Sequence, residues 1–236
     1  MLKIEHLTKT YGEKKAVDDL SIHIEKGEIY GFIGHNGAGK TTTLKSAAGI
    51  LRFESGDIFI DGISIKTHPL QCKQNLAYIP DNPDLYDFMT GMGYLNFILD
   101  IFKVPLSERE KRINAYAEKF EMKEVLNNPI SSYSHGMKQK LAIISAWIHS
   151  PKLIMLDEPF VGLDPKASHI LKEMMREFCS NGGAIFFSTH VLEVAEKLCD
   201  KVAIINEGKL VVSGTMEEVK GDTTLENVFL GLVDNE

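Results

Sequence analysis

The chain has 236 residues and a formal net charge of −7. That length suits one large α/β domain, or one domain with a small insert. The acidic balance argues against a general nucleic-acid binder, which needs a basic patch and usually a high pI. Cys72, Cys179 and Cys199 lie far apart with no CxxC spacing. Buried thiols in a reducing compartment are therefore expected, rather than a disulfide framework or a metal site. The first six residues, Met1 to His6, lack a signal-like apolar region. No apolar run reaches the roughly 20 residues that a spanning helix needs: 141–148 is too short, and 94–102 is broken by Asn96 and Asp100. Any action at a membrane must depend on other chains to span it.

In chain order, short β-branched stretches come first, at 22–24, 29–33 and 58–60, separated by glycine turns at Lys26-Gly27, Ser55-Gly56 and Asp61-Gly62. From about 83 to 150 the pattern is helical, with no convincing strand. Ser107 and Glu110 predict a capping box ahead of an apolar face of Ile113, Tyr116, Ala117 and Phe120. A further helix is expected near Ser134, carrying Met137, Leu141, Ile144 and Ile148. Strand-like segments return at 153–156, 184–188 and 202–205, alternating with amphipathic helices. One helix holds Ala167, Ile170, Leu171, Met174, Met175 and Phe178, and the next holds Val191, Val194, Ala195 and Leu198. Such alternation implies parallel βαβ units. A short amphipathic helix at about 223–233, with Leu225, Val228, Phe229 and Leu232, is expected to pack on the body.

Gly34-His35-Asn36-Gly37-Ala38-Gly39-Lys40-Thr41-Thr42 fits a phosphate-binding loop. It follows the 29–33 strand and precedes a helix, the context the motif requires. Its glycines let backbone N–H groups close around phosphate oxygens, where the helix N-terminus adds positive potential. Lys40 is expected to neutralise the β- and γ-phosphates, and the Thr41 hydroxyl to ligate Mg²⁺. The run at 153–158 is an apolar strand ending in Asp157 and Glu158. A buried parallel strand is apolar throughout, and its carboxyl end is where an open α/β sheet places its ligand. Asp157 is expected to hold Mg²⁺ through water, and Glu158 to polarise an attacking water.

With these motifs in place, Tyr133-Ser134-His135-Gly136-Met137-Lys138-Gln139 resembles the signature sequence of ABC transporter ATPases. Asp157-Glu158-Pro159 continues into Gly162-Leu163-Asp164-Pro165, which resembles that family's D-loop, and Ser188-Thr189-His190 resembles its switch histidine. Tyr11 matches the aromatic residue that stacks on adenine. The resemblance runs from Leu2 to about Glu218, with five motifs in order. It implies an α/β fold: a P-loop NTPase core with a parallel-rich sheet, at about 1–82 and 151–220. An antiparallel β subdomain is expected at its N-terminal side, and an inserted α-helical subdomain at about 83–150. It also implies ATP and Mg²⁺ as ligands, with Thr41, Asp81 and Asp157 on the metal and Glu158 and His190 as catalytic residues. Ser134 and Gly136 would act in trans on the nucleotide of a second cassette, identical or related. Integral membrane subunits would be the other partners, with the chain peripheral at the cytoplasmic face of the membrane.

Two departures from the family pattern stand out. Tyr133, His135 and Met137 replace the first, third and fifth residues of the usual Leu-Ser-Gly-Gly-Gln, so His135 needs room and a permitted φ where glycine is common. Asp81, in Tyr78-Ile79-Pro80-Asp81, stands where the Q-loop glutamine is usual. Both resemble the exporter branch that includes bacterial antibiotic-resistance, bacteriocin and Ecs-type systems. The alternative, a soluble ABC ATPase acting on nucleic acid or ribosomes, would call for a long coiled-coil insert between Lys40 and Ser134 or for two cassettes in one chain. Tyr86, Phe88, Met89, Tyr94, Phe97 and Phe102 crowd the stretch after Asp81 and would suit either a docking groove for a membrane subunit or the subdomain core. His35, Lys138 and Lys140 are expected to be solvated, and Trp147 to be core.

Overall fold

In the computed structural model, which describes residues 1–233, the apolar strands divide between two sheets. β1 (Leu2–Tyr11), β2 (Lys14–Ile24), β4 (Ser55–Ile60) and β5 (Ile63–Ser64) form an antiparallel sheet ordered β2-β1-β4-β5. The second sheet is ordered β10-β9-β3-β8-β7-β6, from β3 (Ile29–Ile33), β6 (Leu76–Ile79), β7 (Leu153–Asp157), β8 (Ala184–Thr189), β9 (Lys201–Asn206) and β10 (Lys209–Thr215). All its pairings are parallel except β9 with the edge strand β10. Every residue of β3, β7 and β8 is buried, as expected of central strands covered on both faces.

Side-chain alternation explains that double burial. Tyr30 and Phe32 of β3 pack with the antiparallel sheet and with Leu44 and Ala47 of α1 (Lys40–Ala47). Ile29 and Ile33 point to the other face. That face is covered by α5 (His135–Ile148), α6 (Pro165–Ser180) and α7 (Leu192–Leu198). The short α2 (Pro69–Gln74) lies before β6, and α8 (Met216–Lys220) and α9 (Leu225–Val233) follow β10. α3 (Gly91–Ile101), α4 (Leu106–Lys119) and α5 carry the helical stretch, where Leu95, Leu99, Ile113, Ala117, Leu141 and Ile144 are buried together. Among the described residues, no helix is long and apolar enough to cross a membrane. The three cysteines are free and buried, and burial pushes each thiol pKa up.

Several local expectations need correction. The capping box at Ser107 and Glu110 does not form, because α4 begins at Leu106, two residues earlier than a Ser107 cap requires, with Pro105 as N-cap. Ser107 is therefore the second helical residue, inside the helix, where it cannot cap. Side-chain caps form instead at Thr90 on α3, Ser134 on α5, Asp164 on α6 and Thr224 on α9, and Thr215 with Glu218 makes a capping box on α8. β1 is a strand that alternation obscures: the register slips between Ile4 and Leu7, where His6 has φ 50°, so the inward residues Leu2, Ile4 and Leu7 lose period two.

Candidate active site

The parallel pairing brings the carboxyl ends of three central strands together, with Ile33 of β3 opposite Thr189 of β8 and Ser188 of β8 opposite Asp157 of β7. The chain leaves β3 through residues 34–39 and enters α1 at Lys40. Gly39 is the pivot: its φ is 109°, and a Cβ there would collide with the backbone carbonyl of Ala16. Only glycine meets both demands. Lys40 is 6% exposed, and its ammonium donates to the carbonyls of Gly34 (2.7 Å) and His35 (3.2 Å). The crest residues His35, Asn36 and Gly37 are exposed. His35 is not simply solvated, however, because its ring lies 4.8 Å, centroid to centroid, from that of Phe229 on α9.

Asp157 is 1% exposed, a burial that a carboxylate tolerates only with strong partners. Thr41 Oγ1 donates to its Oδ2 at 2.6 Å, and Ser188 Oγ donates to its Oδ1. Ser188 also accepts from the Glu158 N–H at 3.2 Å, so one hydroxyl ties both acids to β8. Sequence reading left Ser188 without a role, although it is the polar residue at the end of an apolar strand. Glu158 has φ 49°, a left-handed conformation that is strained for a residue with a side chain and that recurs at functional sites. Its Oε1 lies 3.0 Å from His190 Nδ1 and 3.6 Å from Lys40 Nζ, yet it is buried without a well-aligned hydrogen bond. The His190 N–H donates to Glu158 Oε2 at 3.4 Å.

One cleft is lined by Tyr11, His35, Asn36, Gly37, Gly39, Lys40, Thr41, Thr42, Asp81, Asp157 and Glu158. This gathers the sequence-predicted residues of the phosphate loop, the strand end and the Q-loop position, and Tyr11 is 52% exposed at its side. The Tyr78 hydroxyl is buried without a partner, and burial together with the Asp157 and Asp81 charges pushes its pKa far up, so it stays a neutral phenol. Among the described residues, no cluster of three or more His, Cys, Asp or Glu side chains could hold a metal. A hydroxyl paired with one buried carboxylate does suit Mg²⁺, which takes few protein oxygens and completes its shell with phosphates and water.

Ser134 and Gly136 do not line this cleft. Ser134 caps α5, its hydroxyl accepting from the Met137 N–H at 3.3 Å. His135 is the first helical residue, with no positive φ, so the signature needs no glycine there for backbone reasons. Its imidazole packs on Gly162, where a Cβ would meet the ring at 2.5 Å, and a Cβ on Gly136 would meet the Gly162 carbonyl at 2.8 Å. Lys138 and Lys140 are not free solvated cations: they pair with Asp87 (2.6 Å) and Asp164 (2.7 Å). Lys140 therefore ties α5 to the residue that caps α6.

Comparison with known proteins agrees with this architecture. Residues 17–161 match the family model described as ABC transporter. The ABC-type transporter ATP-binding protein EcsA of Bacillus subtilis is 33% identical over 98% of this chain and 96% of its own. The linearmycin resistance ATP-binding protein LnrL of the same organism is 31% identical over 98% of this chain and 76% of its own. A solved structure described as the ATP binding subunit of an ABC transporter superposes with a TM-score of 0.95 at 32% identity, covering 98% of this chain and 99% of that one. This chain belongs to the ABC transporter family, as one of its ATP-binding, ATP-hydrolysing cassettes.

Proposed function

We propose that the chain binds ATP with Mg²⁺ in the cleft around Lys40 and hydrolyses it as one half of a cassette dimer that drives transport through separate membrane subunits. The observation that carries this reading is the convergence of Lys40, Thr41, Asp157 and Glu158 on one cleft. Lys40 already donates to two loop carbonyls, and phosphate oxygens would replace them as stronger, charged acceptors. Backbone N–H groups of the loop and the start of α1 would complete the cradle, and Tyr11 would stack on the adenine. Thr41 and Asp157 would hold Mg²⁺, with Asp81 beside it. The ion would supply charge neutralisation on the phosphates. Glu158 would accept a hydrogen bond from the attacking water through its unsatisfied Oε1 and draw its proton, with His190 holding the carboxylate in place.

The signature end has a different part in this reading. Ser134 and Gly136 would meet the γ-phosphate bound by the other cassette, so ATP joins the two and hydrolysis releases them. Residues 1–82 and 151–220 would form the catalytic core, residues 83–150 the helical subdomain, and residues 223–233 a C-terminal helix. The membrane partner would dock on the aromatic patch of that subdomain. Tyr86 contacts Phe88, Tyr94 and Phe97, and Phe88 is 86% exposed. The chain would then sit at the cytoplasmic face of the membrane. Likeness to a resistance protein and the acidic residue at Asp81 favour export. Phosphate release from ATP, measured with and without Mg²⁺, tests the core of the reading. Mg²⁺-dependent release is expected, and turnover that ignores the metal would contradict it.

A further inference from the structure

The crest of the phosphate loop is exposed, yet a helix close to the other end of the sequence reaches it. Phe229 of α9 is 7% exposed and belongs to the same buried cluster as Ala195, Leu198, Val219 and Leu225. α9 packs against α7 and α8, and the Phe229 ring meets the His35 ring at 4.8 Å with a 59° tilt. α9 is itself anchored. The Leu225 N–H donates to Glu196 Oε2 of α7 at 3.1 Å, and Glu196 Oε1 pairs with Lys220 of α8 at 2.9 Å. α7 begins two residues after His190. One short helix therefore touches the loop at one side of the cleft and the helix that follows the switch histidine at the other.

A glycine-rich loop loses much conformational freedom when it closes around phosphates, and that loss weakens binding unless something orders the loop beforehand. His35 has the means to do so, because its carbonyl also accepts from Lys40 and from the Ala38 N–H (3.2 Å). Fixing the His35 side chain fixes the peptide that both groups hold. We propose that Phe229 is a positioning residue for nucleotide binding: held by α7 and α8, its ring pins His35 and keeps the phosphate loop in its phosphate-accepting shape. The proposal rests on the phosphate-loop reading above and adds a residue outside the motifs named in this sequence.

The test is a double-mutant cycle on ADP affinity, measured by calorimetry on the full chain. ADP confines the readout to the chain's own loop. His35→Ala removes an exposed ring, and Phe229→Leu keeps the apolar anchor but loses the aromatic face. Each is expected to weaken ADP binding about three- to tenfold, the size of an aromatic pair contact. The double variant should be no weaker than either single within about twofold, because one contact is lost in all three. His35→Phe, which restores a ring pair, should bind ADP more tightly than His35→Ala, and His35→Ala should lose only a few degrees of melting temperature, the cost of one ring contact. Single variants with wild-type affinity, or a double variant whose loss is the product of the two, would overturn the proposal. Lys40→Ala separates the two readings. If it abolishes binding while His35→Ala and Phe229→Leu bind normally, the phosphate loop stands and the strap falls. If Lys40→Ala binds normally, both fall.

Discussion

At the carboxyl ends of β7 and β8, the polar side chains of Asp157 and Ser188 are buried and joined to one another; at the start of α5, Ser134 and His135 are exposed, the first joined to its own helix and the second packed on Gly162. Asp157, Thr41 and Ser188 form one connected set in which each bond restrains the next. Such a network is costly unless it is satisfied, and once satisfied it fixes a single geometry. Ser134, by contrast, accepts a cap bond from the Met137 N–H at 3.3 Å, at an exposed helix end. On the function proposed above, a single chain would prearrange the phosphate, metal and water side of the reaction, and its signature end would be a surface for a second cassette.

The largest expected effect is on the prearranged side. Lys40→Ala removes the buried ammonium of the cleft, and turnover should fall by about three orders of magnitude, together with weaker ATP binding. Near-normal phosphate release would contradict the phosphate-loop assignment. Glu158→Gln keeps shape and removes charge, so turnover should fall about a hundredfold while ATP affinity stays near wild type. Equal losses in affinity and turnover would mean that Glu158 serves binding rather than the attacking water.

Smaller effects sharpen the other half. Ser134→Ala should leave ADP affinity of the single chain unchanged and weaken ATP-driven dimerisation about tenfold, the scale of a hydrogen bond to a charged group. The lost cap should also cost about 1 kcal/mol of stability, seen as a lower denaturant midpoint. Gly136 is a poorer probe, because any Cβ there presses on the Gly162 carbonyl. The smallest change is expected at Asp81, which borders the cleft but belongs to neither buried bond of Asp157. Asp81→Asn should alter turnover only a few-fold and shift the Mg²⁺ concentration for half-maximal activity upward, since one negative charge near the metal is lost. If Asp81→Asn were less active than Glu158→Gln, metal auxiliary and water-activating acid would be assigned the wrong way round.

Much of the cleft was legible in the sequence because its demands are local. A loop that must reach positive φ and approach a carbonyl shows itself as glycine, and a strand buried on both faces shows itself as the run Leu153 to Leu156 before two acids. What stayed hidden depends on distant partners. Lys138 and Lys140 read as solvated until Asp87 and Asp164 arrive beside them, and His35 reads as free until α9 folds back. Ser188 looks like any strand-end serine until parallel pairing sets it opposite Asp157. β6 and β10 escaped for other reasons: four residues are too few to show a period, and β10 is an edge strand with a half-exposed face. Ser107 and Glu110 fit a capping box in spacing alone, while the helix begins at Leu106, behind Pro105.

On the proposed function ATP, and not ADP, would join two cassettes through the exposed start of α5. Sizing chromatography with light scattering on the Glu158→Gln chain tests it directly, because slow hydrolysis preserves the bound triphosphate. With saturating ATP and Mg²⁺ the protein should elute as a dimer, with ADP as a monomer, and adding Ser134→Ala to the same chain should return the ATP-bound sample toward monomer. A chain that binds ATP fully and remains monomeric, or a dimer indifferent to Ser134, would contradict the account.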